Sequence, residues 1–322
     1  MLDFQFLGTS AGIPTKNRNV TALAIGQTAS KPWLLVDCGE ATQQQILQTP
    51  WSANTLSAIC ITHVHGDHCY GLPGMLASAG LNKRTQPLTL IAPLPLWQWL
   101  QHTIALTDLY LSFELQFVDV TTLLTQSHAV DGFEISAAAL NHRVPSYAYK
   151  IRHQRQVKQL DRDALYAHGL PAGPLWGMLQ NGDDVYYQGR NYPASLYVEQ
   201  HEQQVCALIG GDNDTPSLLQ AASDGVQVLV HEATYTQEVA DKVGAFPMHS
   251  SAKQTAEFAY QAAIPNLVLT HFSARYSDAQ AIAPLLAEAK LHYHGQVHLA
   301  EDFAQYRLLP SGEFQPLSAS DA

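Results

Sequence analysis

The chain of 322 residues is 46% hydrophobic, which is enough to bury a substantial core and excludes a disordered or fibrous protein. No apolar stretch approaches the ~20 residues that cross a bilayer, so we expect no membrane partner. The formal net charge of −11 argues against broad, non-specific nucleic-acid binding, because the neutralisation of phosphates supplies such affinity.

The start of the chain and its cysteines indicate a cellular compartment. Residues 1–7 alternate apolar and polar side chains and lack the basic start and apolar run of a signal peptide. The cysteines, Cys38, Cys60, Cys69 and Cys206, are scattered at the ends of apolar runs. This placement favours reduced, buried thiols over a disulfide framework and predicts a cytoplasmic protein.

Several short apolar runs each end at a residue of a type that binds metals. Runs of this length, bounded by turn residues, are typical of buried strands. They are Leu34–Val36 before Asp37, Ala58–Thr62 before His63, Ala207–Gly211 before Asp212, Val228–Val230 before His231, and Leu267–Thr270 before His271. Because strand ends gather functional side chains at one rim, we expect these residues to lie close together.

Helical patterns separate several of the predicted strands. They lie at 41–48, 217–222, 251–263 and 278–289. Ser250 or Ser251 is available to cap the third of these helices. Alternating strands and helices predict a layered α/β sandwich.

Residues 150–196 differ from the rest of the chain and are predicted to form an insertion that projects from the sandwich. They begin with the cations Lys150, Arg152, Arg155, Lys158 and Arg162, which precede a Gly-Leu-Pro-Ala-Gly-Pro run. The simplest interpretation is a long surface excursion. Loops of this length in compact domains are usually functional, however.

The strongest chemical signal is the run His63-Val64-His65-Gly66-Asp67-His68, which directly follows a predicted strand. Four ligand-type side chains so close together cannot all be buried without cations to pair them. His63 and His65 point to one side of an extended segment, and Asp67 and His68 follow the turn at Gly66, which suits two adjacent metals. The alternative, a polar loop of satisfied histidines, is disfavoured because this spacing is rare by chance.

Other residues are assigned supporting or packing roles. The turn at 37–40 is predicted to buttress the metal loop through hydrogen bonds to its side chains. Trp97 and Trp99 are interpreted as packing residues of a helix rather than as a platform for RNA bases.

The run at 63–68 resembles the signature of the metallo-β-lactamase superfamily. The resemblance implies an α/β fold, the four-layer αββα sandwich, as a single domain over residues 1–322, and two Zn²⁺ ions per chain, with Mn²⁺ as an alternative. It implies that one zinc is held by His63, His65 and His142, that the second is held by Asp67, His68 and His271, and that Asp212 bridges them. Such a pair activates water for hydrolysis, and Asp67 would accept or orient its proton.

Within the superfamily the chain resembles the ribonuclease Z family, at the length of its short, homodimeric form. Residues 14–19 contain that family's P-x-K-x-R-N loop, in which Lys16 and Arg18 offer phosphate contacts; the alternative is an ordinary solvated turn. The run 231–234 reproduces its H-E-A-T motif, and 249–251 resembles its H-S-T motif with serine in place of threonine.

The two histidine-containing motifs carry catalytic expectations. By resemblance, His249 contacts the scissile phosphate or assists the leaving oxygen, and His231 and Glu232 support it. Without the resemblance, His249 would be interpreted as the neighbour of a helix cap.

The Gly-Pro pair of the insertion resembles the tip of the flexible arm with which this family grips the tRNA body. The resemblance implies that 150–196 is a tRNA-binding arm and that Gly173 and Pro174 contact substrate. The sequence departs from the pattern after Pro174, since Asp183 and Asp184 stand where basic residues are expected.

The resemblance implies a zinc-dependent endoribonuclease that cuts precursor tRNA 3′ of the discriminator base. Its products would be a tRNA 3′-OH and a trailer with a 5′-phosphate. The acidic charge and the poorly basic arm favour an alternative, a related two-metal phosphodiesterase or RNase with another RNA or a small phosphodiester as substrate. A non-catalytic RNA- or metal-binding protein is disfavoured because all seven ligand positions are filled.

Overall fold

Strands and helices alternate along most of the computed structural model, which describes residues 1–317. In these residues the strands are β1 (Leu2–Gly8), β2 (Ala22–Gln27), β3 (Trp33–Val36), β4 (Leu56–Cys60), β5 (Leu88–Ala92), β6 (Leu115–Asp119), β7 (His128–Val130), β8 (Phe133–Leu140), β9 (Ser146–Leu160), β10 (Val185–Tyr187), β11 (Arg190–Tyr192), β12 (Val198–Ile209), β13 (Val228–Glu232), β14 (Asn266–Thr270), β15 (Gln296–Leu299), β16 (Gln305–Leu308) and β17 (Phe314–Pro316). The helices are α1 (Thr42–Ile46), α2 (Gly66–Cys69), α3 (Leu72–Leu81), α4 (Leu94–Leu106), α5 (Arg162–Ala167), α6 (Pro174–Asn181), α7 (Gln237–Val243), α8 (Ala252–Gln261) and α9 (Ala279–His292).

Most strands belong to two large mixed sheets. The first has the order β17-β16-β1-β2-β3-β4-β5-β6, and the second has the order β15-β14-β13-β12-β9-β8-β7. Strands β3 to β6 run parallel in the first sheet, as β12 to β15 do in the second. Parallel strands are buried on both faces, which explains why β4, β13 and β14 are apolar along most of their length.

Three apolar cores define four layers. The central core joins the two sheets and contains Ile25 of β2 and Val228 of β13. A second core lies between the first sheet and its helices and includes Leu76 of α3. A third lies between the second sheet and its helices and includes Phe258 of α8. The order helix, sheet, sheet, helix is the predicted αββα sandwich.

The strands expected before the metal-type residues are confirmed, and so are the helices expected at 41–48, 251–263 and 278–289, as α1, α8 and α9. The helix expected at 217–222 is wrong. A short 3₁₀ turn, Pro216–Leu219, occupies that region instead. Pro216 is its first residue, a position where the missing backbone N–H is tolerated.

The chain divides into two compact units, one formed by residues 1–153 with the chain from 205 onward and the other by Gln154–Gln204. The smaller unit overlaps the insertion expected at 150–196. It contains α5, α6 and the β10–β11 hairpin, and its own apolar core includes Leu165, Leu179 and Tyr192. It is therefore a folded element rather than a structureless loop. Within residues 1–317, none of the helices combines the length and hydropathy that crossing a lipid bilayer requires.

Candidate metal centre

The buried carboxylate of Asp37 organises the loop that carries the first ligands. Asp37 directly follows β3 and has a left-handed backbone with φ of 60°. Its Oδ1 accepts from the Thr62 backbone N–H at 2.8 Å, and its Oδ2 lies 2.8 Å from Nδ1 of His68. The prediction that the 37–40 turn buttresses the metal loop is confirmed for Asp37.

The first group of candidate ligands contains His63, His65, His142 and Asp212. Nδ1 of His65 lies 3.1 Å from Nε2 of His63 and 3.1 Å from Nε2 of His142. Oδ2 of Asp212 lies 3.6 Å from Nε2 of His63 and 3.8 Å from Nε2 of His142. The four candidate ligand atoms lie within 4.8 Å of one another. They come from the ends of β4, β8 and β12, so both sheets contribute.

The second group contains Asp67, His68 and His271. The Nε2 atoms of His68 and His271 are 3.3 Å apart, and Oδ2 of Asp67 lies 3.5 Å and 3.4 Å from them, respectively. Oδ1 of Asp212 is 3.4 Å from each of these Nε2 atoms. Asp212 thus turns one carboxylate oxygen toward each group and could be shared by ions bound at both.

The outward nitrogens of three imidazoles are already engaged. Nδ1 of His68 faces the Asp37 carboxylate, and Nδ1 of His142 lies 2.9 Å from the Met248 carbonyl oxygen. Both Nδ1 atoms must donate to these acceptors, so the Nε2 lone pairs point inward. Nδ1 of His271 lies 3.1 Å from Oγ1 of Thr234. The inward lone pairs of the ligand nitrogens and carboxylate oxygens cannot hydrogen-bond to one another, because none of them carries a proton. A divalent cation placed among them would accept all of them.

The electrostatics of the cluster agree with this donor set. Burial by itself raises the pKa of the Asp212 carboxyl, but the facing imidazoles of His271, His68 and His63 lower that pKa well below its ordinary value. Burial lowers the pKa of His68, whereas the carboxylates of Asp212, Asp67 and Asp37 raise it well above its usual range. The site therefore favours ionised carboxylates and positive charge, and imidazole and carboxylate donors without cysteine suit Zn²⁺. The cluster is a divalent-metal centre.

His249 lies beside the two groups and contacts Glu232. Its Nδ1 is 3.1 Å from the Glu232 carboxylate and 3.8 Å from Oδ2 of Asp212. Burial lowers the pKa of His249, but the Glu232 carboxylate outweighs burial and raises that pKa to about 9. Glu232 also accepts from the Asn213 backbone N–H at 2.7 Å and from the Thr234 hydroxyl. Glu232 therefore holds both the His249 ring and the chain that follows Asp212.

His231 lies behind the centre rather than in it. Its side chain is fully buried, and its Nδ1 lies 2.9 Å from the Glu232 carbonyl oxygen. Its Nε2 is 3.3 Å from Nδ2 of Asn213. His231 thus reaches the site only through the residues that surround it.

The loop at 9–19 approaches the centre through its backbone. The Gly12 N–H donates to Oδ2 of Asp67 at 2.8 Å, a contact for which the sequence carries no signal. Lys16 is exposed, but Arg18 is only 9% exposed, and its Nη1 donates to Oγ1 of Thr9 at 2.7 Å and to the Ala300 carbonyl at 2.8 Å. Arg18 is thus buried against the sheet and does not offer the phosphate contact expected of it, whereas Lys16 is exposed and its phosphate contact stays a prediction.

Gly173 and Pro174 lie in the smaller unit, at the start of α6, and both are exposed. Trp176 of the same helix makes an edge contact with Tyr166 of α5, with ring centroids 4.9 Å apart. The structure therefore presents the Gly-Pro pair at the surface of a folded unit next to an aromatic pair.

Comparisons with known proteins identify relatives along almost the whole chain. The chain is 47% identical over 314 residues to "Ribonuclease Z" of Marinobacter nauticus, which covers 95% of this chain and 96% of that protein. Residues 2–163 match the family model described as Anti-Pycsar protein Apyc1. That region contains five of the seven candidate ligands and ends before Asp212 and His271.

Solved structures share the fold. Human tRNase Z, short form, superposes with a TM-score of 0.63 at 24% identity, over 95% of this chain and 99% of that one. The metallo-β-lactamase fold protein YhfI from Bacillus subtilis gives a TM-score of 0.65 at 17% identity, over 94% of this chain and 98% of that one. The predicted metallo-β-lactamase fold is confirmed.

Proposed function

The chain belongs to the ribonuclease Z family, and we propose that it is an endonuclease that processes the 3′ end of tRNA. Its residues 2–163 also belong to the family described as Anti-Pycsar protein Apyc1. The geometric observation that carries this function is Asp212, which faces a different ligand group with each oxygen while His249 and Glu232 stand beside it. This arrangement supplies a centre for phosphodiester hydrolysis together with a donor for the leaving group.

We propose that the cut falls immediately 3′ of the discriminator base. Water attacks phosphorus, the bond from phosphorus to the 3′ oxygen breaks, and the products are a tRNA 3′-OH and a trailer 5′-phosphate. The attacking water loses a proton and the leaving 3′ oxygen gains one. The chain therefore has to provide a proton acceptor and a proton donor at the centre.

Asp67 is the proposed acceptor and His249 the proposed donor. Asp67 is oriented by the Gly12 N–H on its Oδ2, and His249 is oriented by Glu232 at its Nδ1. No hydrogen bond from another residue within 1–317 occupies Nε2 of His249, so this nitrogen is available to the 3′ oxygen. His231 serves by positioning, because it packs beneath Glu232.

We propose two Zn²⁺ ions per chain, one held by His63, His65 and His142, the other by Asp67, His68 and His271, with Asp212 shared; Mn²⁺ is the alternative. When bound, the two ions lower the pKa of water to about 7 and stabilise negative charge on the phosphate.

The unit Gln154–Gln204 is the proposed tRNA-binding arm. It carries four lysines and arginines against six aspartates and glutamates, so its net charge is −2. An arm of this charge gains little from phosphate neutralisation. Its exposed Gly173 and Pro174 and the nearby ring of Tyr166, 57% exposed, support contact through shape and stacking. We expect this part of the tRNA affinity to change little between low and moderate salt.

The function is tested with metal-loaded protein and a precursor tRNA that carries a 3′ trailer. The expected result is one cut that leaves a 3′-OH on the discriminator nucleotide, with cleavage lost in Asp67→Ala. A wild-type protein that leaves the precursor intact but cuts a small phosphodiester would refute the proposal.

The second candidate is a related phosphodiesterase whose main substrate is another RNA or a small phosphodiester. The acidic arm is the observation that favours it. The two candidates separate in kcat/KM, since a tRNA enzyme prefers the precursor over bis(p-nitrophenyl) phosphate by several orders of magnitude. A preference that survives replacement of 155–203 by a short linker would exclude the arm as the tRNA grip.

We also propose a homodimer in the cytoplasm. Leu81, Leu106 and Tyr110 are each more than 80% exposed, and the backbone at Tyr110 lies against the end of α3. An apolar patch of this kind suits contact with a second copy of the chain. Light scattering should give twice the monomer mass, and Leu106→Glu should shift it toward the monomer. Cell fractionation tests the compartment.

A further inference from the structure

An exposed aromatic ring stands at the rim of the metal centre. Phe246 is 79% exposed, and the Arg143 guanidinium lies over its ring, 5.1 Å from the centroid. A phenylalanine this exposed contributes little to folding. One face of its ring carries a cation, and the other is free to take a second planar group.

Both residues are tied to the centre. Arg143 follows the candidate ligand His142, and Phe246 precedes His249 by three positions. Nδ1 of His142 donates to the Met248 carbonyl at 2.9 Å, so the chain after β8 is bonded to the segment that carries Phe246. A group bound on Phe246 would therefore be held next to the reacting phosphate.

The same segment walls a cavity of about 400 Å³. Its lining includes Ala245 and Pro247, which flank Phe246 in the chain, together with His249, Asp214 and Tyr235. This volume is in the range of small-molecule sites and accommodates a nucleotide. Because His249 is part of the wall, the cavity lies next to the proposed proton donor.

The charged side chains determine how a bound nucleotide would be oriented between Arg143 and the cavity. The contact of Arg143 within residues 1–317 is with the Phe246 ring and not with a carboxylate, so its N–H groups can pair with a phosphate. Asp214 and Asp241 on the cavity wall repel a phosphate, whereas their oxygens accept N–H donors from a base. A nucleotide would therefore direct its phosphate to Arg143 and its base to Phe246, beside the cavity.

We propose that Arg143 and Phe246 form a nucleotide-binding site that holds the single-stranded RNA residue next to the scissile phosphate, with its base stacked on Phe246 and its phosphate paired with Arg143. This site rests on the proposed RNA-cleaving function and adds a specificity element to it. Stacking of this kind corresponds to about a 5- to 150-fold gain in affinity.

The site is tested first by cleavage. Phe246→Ala should lower kcat/KM for precursor tRNA by about 5- to 150-fold and leave kcat/KM for bis(p-nitrophenyl) phosphate, which has no base to stack, nearly unchanged. Phe246→Trp should retain most of the wild-type kcat/KM, because tryptophan can also stack on a base. Arg143→Gln should reduce the salt dependence of RNA binding by about one charge. The matched controls are Tyr260→Ala and Lys290→Gln, an exposed aromatic and an exposed cation remote from the rim.

A binding measurement separates this inference from the function on which it rests. RNA carrying 2-aminopurine on either side of the scissile phosphate is mixed with holoenzyme in a stopped-flow instrument. The expected result is fluorescence quenching at one of the two positions, lost in Phe246→Ala. If wild type fails to cut the precursor, the proposed function falls, and the quenching still decides on the nucleotide site. Equal losses on RNA and the small ester, or quenching that survives Phe246→Ala, would overturn the inference.

Discussion

Asp37→Asn should empty one metal position while leaving the fold intact. The carboxylate fixes the tautomer of His68, because its Oδ2 accepts from Nδ1 at 2.8 Å and leaves Nε2 unprotonated toward the centre. An asparagine keeps the shape and can still accept from the Thr62 backbone. Its amide N–H groups would face Nδ1, however, and favour the tautomer that protonates Nε2, which cannot bind a metal.

The expected magnitude follows from the loss of one charge-assisted bond to a ligand. Removal of such a partner typically costs about 10- to 100-fold in metal affinity, or about 1.4 to 2.8 kcal/mol. Metal content after dialysis should fall from the proposed two ions per chain toward one, and competition with a chelator should show weakened affinity. The control is Asp3→Asn, which removes a carboxylate paired with Arg307 at 2.6 Å, away from the centre. An Asp37→Asn protein that retains both ions with wild-type affinity would show that Asp37 does not set the His68 tautomer.

Three further predictions concern the surroundings of the centre. His249→Ala should lower the single-turnover rate on precursor tRNA by about 10²- to 10⁴-fold with metal content near wild type, because it removes the proposed proton donor; an unchanged rate would exclude this role. Ser251→Ala should destabilise the protein by about 1 kcal/mol, measured by denaturant unfolding, because Ser251 forms the capping box of α8, and Ser251→Thr should restore stability. Gly39→Ala should lower the melting temperature and the metal content together, because a Cβ there would lie 2.3 Å from the Asp67 carbonyl oxygen, whereas Gly177→Ala has open space and serves as the control.

His63, Asp212 and His271 could be found from sequence because strand ends have a fixed place in a sheet, whereas the choice of His142 rested on the family resemblance. Runs of buried apolar residues located β4, β12 and β14, and the polar residue after each run fell at the same rim. The helix cap at Ser251 was equally local, since a serine before an apolar pattern provides its own hydrogen bond.

Features that depend on distant contacts gave no such signal. The Gly12 N–H that contacts Asp67 is a backbone group, and every residue except proline has one. Arg18 stands in a polar loop, where an arginine is usually exposed, but Thr9 and Ala300 accept its hydrogen bonds inside the protein. The bounds of the smaller unit, 154 and 204, lie within the long strands β9 and β12, so no break in the pattern marks them.

The centre takes its ligands from both sheets, and His68 and His271, whose ring nitrogens nearly touch, are 203 positions apart in the chain. An unfolded chain cannot assemble such a set, so ions bind the native state almost exclusively. By mass action, an ion present at 100 times its dissociation constant adds about 2.7 kcal/mol to the free energy of unfolding. Depletion of the metal would therefore lower the stability of the protein as well as its activity, and would expose more of the chain to proteolysis through unfolding.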